Sequence, residues 1–339
     1  MNFGDISNHR QFLYGFAALW IMFFHFCTRV PPTGILEIVS GIQEAGSSGV
    51  EIFLVLTGMG LYQSMKRTPS VVTFYKKRFL RVFLPSFIVM AVYHLTVDDS
   101  FVAYLSSVTF FGYWFGADVI WYIPFILTMY LIYPLLYKIQ IKKPRILYGL
   151  LLLSVVLSFA VETVGLDMNL LRGISRIPIF IFGCILAPCV EKKKQIPGWF
   201  LFAAVITTVL MALPWYFTQA DRRFYFCYYY FYRSFLYAGY AIVSILIVTL
   251  LAQWISKHSS MHFLYQFFAF CGKISLEIYL LYERVWMTLD SFPGFVSDPF
   301  SFIKLDIAAI ICTFILSVLL QKLTTCLIEV YSSVKVPKT

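Results

Sequence analysis

Long apolar runs, separated by short polar segments, dominate the sequence. Runs of this length, about 17–25 residues, cross the hydrocarbon core of a bilayer as helices. The predicted helices lie near residues 11–30, 47–65, 80–97, 119–137, 146–164, 173–190, 198–217, 232–255, 271–289 and 303–328. A further apolar stretch, residues 101–115, is short and favours a re-entrant or interfacial segment. The pattern predicts an all-α, polytopic membrane protein with about ten transmembrane helices.

The composition agrees with a protein whose solvent is lipid. Hydrophobic residues make up 60% of the chain and charged residues 13%, with a mean hydropathy of +0.78. Soluble domains carry about 25% charged residues, so this chain has too few to cover a globule of its size. No separate soluble domain is predicted, and residues 1–339 are treated as one transmembrane domain. No small-residue cleavage site follows the first apolar run, so we expect it to remain as a helix.

The basic residues predict the orientation in the membrane. Nineteen of the 27 lysines and arginines fall in alternate polar segments, which the positive-inside rule places in the cytoplasm. These are Arg10, Lys66, Arg67, Lys76, Lys77, Arg78, Arg81, Lys138, Lys142, Lys143, Arg145, Lys192, Lys193, Lys194, Lys257, Lys273, Lys322, Lys335 and Lys338. Ten helices then place both termini in the cytoplasm. The net charge of +10 is thus explained by basic segments at the cytoplasmic face of the membrane. We therefore expect no nucleic-acid partner.

The cysteines predict neither a metal site nor a disulfide framework. There are seven, with no C-x-x-C pair, and most lie inside apolar runs. Such cysteines behave as small buried hydrophobic residues. They are Cys27, Cys184, Cys189, Cys227, Cys271, Cys312 and Cys326.

Two ionisable residues within apolar runs are functional candidates, because a charge at membrane depth is costly. His25 lies near the outer end of the first predicted helix, and Glu51 lies near the outer start of the second. At 1.5 Å per residue, both lie roughly 6–8 Å below the outer interface. A carboxylate beside an imidazole raises its basicity, so the pair could act as a general base. The alternative is a hydrogen bond that only joins two helices.

Further polar residues occur at both ends of the predicted bundle. Arg78 and Arg81 are three residues apart, share a helix face and could bind phosphate, or could anchor the helix at the cytoplasmic interface. Arg172 and Arg176 begin a predicted helix at the outer face and could grip an acceptor or snorkel to the interface. Glu277 and Tyr279 are equally compatible with a packing role or a site.

Several segments, taken in order, resemble the acyltransferase 3 family of bacterial membrane acyltransferases, which modify cell-envelope sugars. They are Tyr14-Gly-Phe-Ala-Ala-Leu through His25, Gly49-Val-Glu51-Ile-Phe-Leu-Val-Leu-Thr57-Gly58, Lys77-Arg78-Phe-Leu-Arg81-Val-Phe-Leu-Pro85, Trp121-Tyr122-Ile-Pro through Pro134, Ile174-Ser-Arg176-Ile-Pro178 and Ser275-Leu-Glu-Ile-Tyr279. The family has an arginine eleven residues before its histidine. This chain has Tyr14 there, and Arg10, on the same helix face, is expected to replace that arginine.

The resemblance implies a bacterial plasma-membrane enzyme that transfers an acyl group, usually acetyl, from cytoplasmic acyl-CoA to a hydroxyl of an envelope or capsular glycan. His25 would be the catalytic histidine and Glu51 its acidic partner. Arg78, Arg81, Lys77 and Arg10 would lie near the CoA. The residues expected to contact the substrates are Arg172, Arg176, Trp121, Tyr122, Glu277 and Tyr279.

Two other function classes fit the same residues. Intramembrane histidine and glutamate also form proton relays, so a proton-coupled transporter or flippase of an envelope precursor is the main alternative. Transporters often contain repeats, and the two halves of this chain show none. A structural partner of an envelope synthase, without chemistry of its own, is the third. The oligomeric state is not predicted.

Overall fold

The computed structural model describes residues 1–26, 28, 33–34, 36–68, 70–96, 100–115, 121–218, 229–291 and 301–334. These residues form helices and no β-strand, apart from an isolated bridge between Asn2 and Gln195. The α-helices are α1 (Phe3–Asn8), α2 (Arg10–Phe24), α3 (Leu36–Ala45), α4 (Gly49–Arg67), α5 (Val71–Thr96), α6 (Phe101–Val108), α7 (Tyr122–Lys142), α8 (Arg145–Val164), α9 (Met168–Ile174), α10 (Ile177–Glu191), α11 (Gly198–Thr218), α12 (Tyr229–Lys257), α13 (His262–Lys273), α14 (Ser275–Asp290) and α15 (Ser301–Val334). The predicted all-α class is confirmed.

Six helical segments of the described chain are long and apolar enough to cross a membrane. They are Leu36–Arg67, Tyr122–Lys142, Arg145–Val164, Met168–Glu191, Phe231–Lys257 and Phe302–Tyr331, with a seventh if the bent pair Ser259–Lys273 and Ser275–Asp290 forms one span. Two further apolar helices, Arg10–Phe24 and Gly198–Val209, are shorter. The chain is therefore a multi-pass membrane protein. The count of about ten and the orientation of the termini remain predictions.

Several predicted helices have different limits in the structure, and two of these differences affect candidate site residues. The first ends at Phe24 instead of residue 30, so His25 occupies the C-cap of α2 and not its interior. The predicted helix 173–190 is divided, because α9 ends at Ile174 and α10 begins at Ile177. Pro178 lies in the first turn of α10, where its missing N–H breaks no helical hydrogen bond. This division places Arg176 at the N-cap of α10.

The predicted helix 271–289 is also broken. Ile274 separates α13 from α14, and the two helices meet at an angle of 75°. The sequence did not predict α13, which packs along α2. The predicted short segment at 101–115 contains α6 and a 3₁₀ turn at Phe111–Phe115, joined through Phe110 with a positive φ of 59°.

Close helix crossings hold the centre of the bundle together. α2 packs against α13, and α4 packs against α10. Gly15 and Gly272 make the first crossing, while Gly58 and Gly183 make the second. A Cβ added at any of these four positions would come within 2.6 Å of a backbone oxygen of the partner helix. Small residues allow such approach between membrane helices, so these crossings fix how the ends of α2 and α4 are arranged.

Burial distinguishes the central helices from those that face lipid. The most apolar stretch of the segment containing α4 is 72% buried within the protein, compared with 17% for α8. Large apolar side chains such as Leu152, Leu153 and Val156 of α8 are exposed. Exposed apolar faces of this extent suit contact with lipid, so α4 is central and α8 is peripheral.

Candidate active site

A buried ion pair joins α4 to α10. Glu51 lies in the first turn of α4 and is fully buried, and Arg176 is 7% exposed. Arg176 Nε lies 2.8 Å from Glu51 Oε1. The guanidinium also lies 4.7 Å from the centroid of the Trp121 ring, and its Nη1 donates to the carbonyl of Arg172 at 3.0 Å. Buried charges need such compensation, and the positive end of the α4 dipole further favours the carboxylate.

A cavity of about 280 Å³ lies beside this pair. His25 lines it at the end of α2, with its backbone N–H donating to the carbonyls of Ile21 and Met22. We name this space the histidine cavity. Its lining residues are Ile21, Phe24, His25, Ser47, Val50, Trp121, Arg172, Arg176, Arg233, Ser234 and Tyr279. The structure thus gathers His25, Trp121, Arg172, Arg176 and Tyr279, as the sequence predicted for catalytic and substrate-binding residues.

The direct pair between His25 and Glu51 that the sequence suggested is not what the structure shows. Glu51 is paired with Arg176, and neither of its carboxylate oxygens accepts a hydrogen bond from His25. A fully buried carboxylate gains more from a permanently charged guanidinium than from an imidazole that is neutral near pH 7. His25 borders the histidine cavity directly, whereas Glu51 reaches it through Arg176. The catalytic roles of both remain predictions.

A second cavity, of about 480 Å³, lies at the opposite ends of α2 and α4. The basic residues in its lining are Arg10, Arg67, Lys77, Arg78 and Arg81. No acidic side chain from the described ranges lines it. We name this space the basic cavity. It unites all four residues that the sequence placed near the CoA, and it adds Arg67, whose position at the end of α4 the sequence analysis did not use.

Arg10 extends from α2 towards α4, and its expected replacement of the family's arginine stays a prediction. The residue lies on α2, and its Nη1 would be only 2.7 Å from a Cβ at Gly60 of α4. The lack of a side chain at Gly60 therefore leaves room for Arg10 to extend along α4. Tyr14, which replaces the family's arginine, lines the same cavity and stacks on Phe53 with ring centroids 5.5 Å apart.

The two cavities meet at a group of aromatic side chains. Tyr279 lines both cavities, while the consecutive residues Trp121 and Tyr122 line the histidine cavity and the basic cavity respectively. The rings of Tyr122 and Tyr279 lie 5.2 Å apart between centroids, and those of Phe53 and Tyr122 lie 6.5 Å apart. We name Phe53, Trp121, Tyr122 and Tyr279 the aromatic neck. Tyr279 of this neck borders both the basic cavity and the histidine cavity.

A family model described as an acyltransferase domain matches residues 12–322, nearly the whole chain. The protein belongs to the acyltransferase 3 family. No curated protein and no solved structure matches the chain. Family membership and the apolar helices together show that the chain is a membrane acyltransferase, and they support the resemblance drawn from the sequence motifs.

This acyltransferase has two cavity residues that the sequence analysis missed. Arg233 and Ser234 of α12 line the histidine cavity. Ser234 Oγ donates to Ser175 Oγ at 2.8 Å, and Arg233 Nε donates to the hydroxyl of Tyr237 at 2.7 Å. Arg233 lies in an apolar helix. The cost of a charge at membrane depth, which made His25 a functional candidate, therefore also makes Arg233 one.

Glu277 lies apart from both cavities. The side chain is 7% exposed and interacts electrostatically with Arg81, but it is absent from both cavity linings. Its predicted contact with substrate is thus not supported by a position in either space. Among the described residues, no group of three His, Cys, Asp or Glu side chains could hold a metal ion.

Proposed function

We propose that the protein transfers an acyl group, in the first instance acetyl, from cytoplasmic acyl-CoA to a hydroxyl of an extracytoplasmic or lipid-linked envelope polysaccharide. It would act in a bacterial plasma membrane. One observation carries the proposal: a basic cavity and a histidine cavity open at opposite ends of α2 and α4 and share Tyr279. A transmembrane route for the donor needs this arrangement, because the hydrocarbon core of about 30 Å separates the two substrates.

The basic cavity suits the phosphates of CoA. Arginine guanidiniums bind phosphate oxygens through paired hydrogen bonds, and Arg10, Arg67, Arg78 and Arg81 supply them from three helices. The uncharged pantetheine arm would extend through the aromatic neck and bring the thioester to the histidine cavity. The phosphates of the donor would therefore stay in the basic cavity while its thioester reaches His25 in the histidine cavity.

At the histidine cavity, His25 would act as the general base. Its neutral imidazole would take the proton of the acceptor hydroxyl as the oxygen bonds to the thioester carbonyl carbon. The tetrahedral intermediate would then collapse with cleavage of the C–S bond, and the imidazolium would return the proton to the CoA sulfur. A sugar hydroxyl is almost fully protonated at neutral pH, so a positioned base is worth about 10²–10⁴-fold in rate.

Arg176 would stabilise the oxyanion of that intermediate. Its guanidinium lines the same cavity as His25, and it is already fixed by Glu51, Trp121 and the Arg172 carbonyl. Donors that need no reorganisation are the most effective in this role. In this account Glu51 is a positioning residue that acts through Arg176.

Substitution of His25 tests the proposal. Purified protein in nanodiscs receives radiolabelled acetyl-CoA and envelope polysaccharide stripped of its esters, and transfer of label is measured. We expect His25→Gln to lower the rate by about 10²–10⁴-fold while the protein remains monodisperse. His258→Gln is the matched control, since His258 is exposed at the end of α12. Transfer by His25→Gln at the wild-type rate would remove His25 from the chemistry.

A further inference from the structure

Every charged residue in the described lining of the histidine cavity is cationic or can become so. Arg172 belongs to α9 and Arg176 is the N-cap of α10. Arg233 belongs to α12, and His25 lies at the end of α2. No carboxylate of the described chain lines the cavity. Three guanidiniums line a space of only about 280 Å³, and the low dielectric of a protein interior strengthens the attraction of such cations for an anion.

Two acidic residues of the described chain, Glu51 and Asp167, lie close to the cavity without lining it. Glu51 is fully buried beneath Arg176, and Asp167 caps α9 by accepting from the backbone N–H of Asn169. The Arg172 side chain donates to the neutral amide oxygen of Asn169 at 3.4 Å. Among the described lining residues, a ligand in the cavity would therefore touch cations and no carboxylate.

Acyl transfer itself uses only part of this charge. One oxyanion develops during the reaction, and Arg176 suffices to stabilise it. The phosphates of the donor would remain at the basic cavity, beyond the aromatic neck. Arg172 and Arg233 also line the cavity, and the proposed transfer step gives them no role, so we assign them to the acceptor. Ser47 and Ser234 add hydroxyls to the same lining, which suits a sugar.

We infer that the acceptor carries an anionic group, a carboxylate or a phosphate, on or next to the sugar that is acylated. Arg172 and Arg233 would bind that group and so select acidic over neutral glycans. The inference rests on the proposed function, because it assumes that the histidine cavity receives the acceptor. It adds a substrate class to that function.

A binding experiment tests the inference without requiring acyl transfer. Full-length protein in nanodiscs is titrated with three probes: a hexasaccharide that contains glucuronic acid, the same hexasaccharide with its carboxyls reduced to alcohols, and a phosphodiester-linked hexasaccharide. We expect at least one anionic probe to bind about ten- to a hundredfold more tightly than the neutral one, with a preference that weakens at high salt. The comparison of the two anionic probes separates carboxylate from phosphate recognition.

Matched variants assign the preference to the two arginines. Arg172→Gln combined with Arg233→Gln should bring the affinity ratio close to one, while the corresponding double lysine variant should keep part of it. Arg145→Gln, at an exposed position at the start of α8, should leave the ratio unchanged. Acetyl-CoA binding at the basic cavity should be the same in all variants, which confirms that they are folded.

Two outcomes would overturn the inference: equal or absent binding of the anionic probes relative to the neutral one, or an unchanged ratio in the double glutamine variant. If the wild-type protein does not bind acetyl-CoA, that result would instead count against the proposed function, whichever oligosaccharides bind.

Discussion

The two cavities at the ends of α2 and α4 differ in how firmly neighbouring groups fix their arginine side chains. In the basic cavity, long cationic side chains from α2, α4 and α5 surround about 480 Å³, and Arg81 is exposed. In the histidine cavity, which is smaller, Arg176 is clamped by a carboxylate, an aromatic face and a backbone carbonyl.

The difference indicates two different tasks. Clustered cations at an open mouth attract an anionic ligand from a distance and tolerate variation in its position. A guanidinium fixed by partners loses no freedom when the reaction occurs, so it can stabilise charge at a defined point. We therefore expect substitutions in the basic cavity to weaken binding, and substitutions in the histidine cavity to affect assembly and the chemical step.

The largest expected effect is on stability, at the buried ion pair. Glu51→Ala leaves Arg176 buried without its carboxylate, which typically costs about 3–5 kcal/mol. The Lys66–Glu191 pair is the matched control, because its side chains are 54% and 27% exposed, and Glu191→Ala should cost at most about 1 kcal/mol. Chemical unfolding in detergent measures both. Equal losses would mean that the Glu51–Arg176 pair is not buried as described.

The next prediction concerns the aromatic neck. Tyr279→Ala should widen the passage and admit longer acyl groups, so the ratio of butyryl to acetyl transfer should rise. A methylene in a confined site typically changes selectivity by about ten- to two-hundredfold. Tyr148→Ala on the lipid-exposed face of α8, where Tyr148 is 61% exposed, is the control. An unchanged ratio in Tyr279→Ala would show that the acyl group does not pass this residue.

The basic cavity should show the smallest effect of the three. Arg78→Ala combined with Arg81→Ala should weaken acetyl-CoA binding by about ten- to a hundredfold, the loss expected for charge-assisted contacts to phosphate. Lys142→Ala with Lys143→Ala, at exposed positions at the end of α7, should leave the affinity unchanged. If both double variants lose the same affinity, general surface charge and not the cavity attracts the CoA.

The sequence predicted the basic cavity better than the histidine cavity. Lys77, Arg78 and Arg81 lie within five residues, little more than one turn of one helix, so helical periodicity alone places them together. Arg10 was added by the family resemblance and by the helix face that it shares with Tyr14. The structure places all four in one lining. Only Arg67, from the end of α4, was overlooked.

The histidine cavity depends on contacts between distant segments, which local patterns do not reveal. Arg176 reaches Glu51 because the chain breaks between α9 and α10, where the sequence predicted one continuous helix. Arg233 comes from α12, more than two hundred residues after His25 in the sequence, and only the tertiary fold brings the two residues together. The apolar runs predicted most helices, but their ends, and therefore the residues placed at those ends, follow from packing.

The central claim is that the acyl group crosses the membrane between the two cavities. The most direct test uses sealed proteoliposomes with radiolabelled acetyl-CoA only inside and ester-free envelope polysaccharide only outside. The account predicts label on the external polysaccharide while CoA stays in the lumen, with transfer abolished by His25→Gln and preserved by His258→Gln. Transfer that occurs only when both substrates are on the same side of the membrane would contradict it.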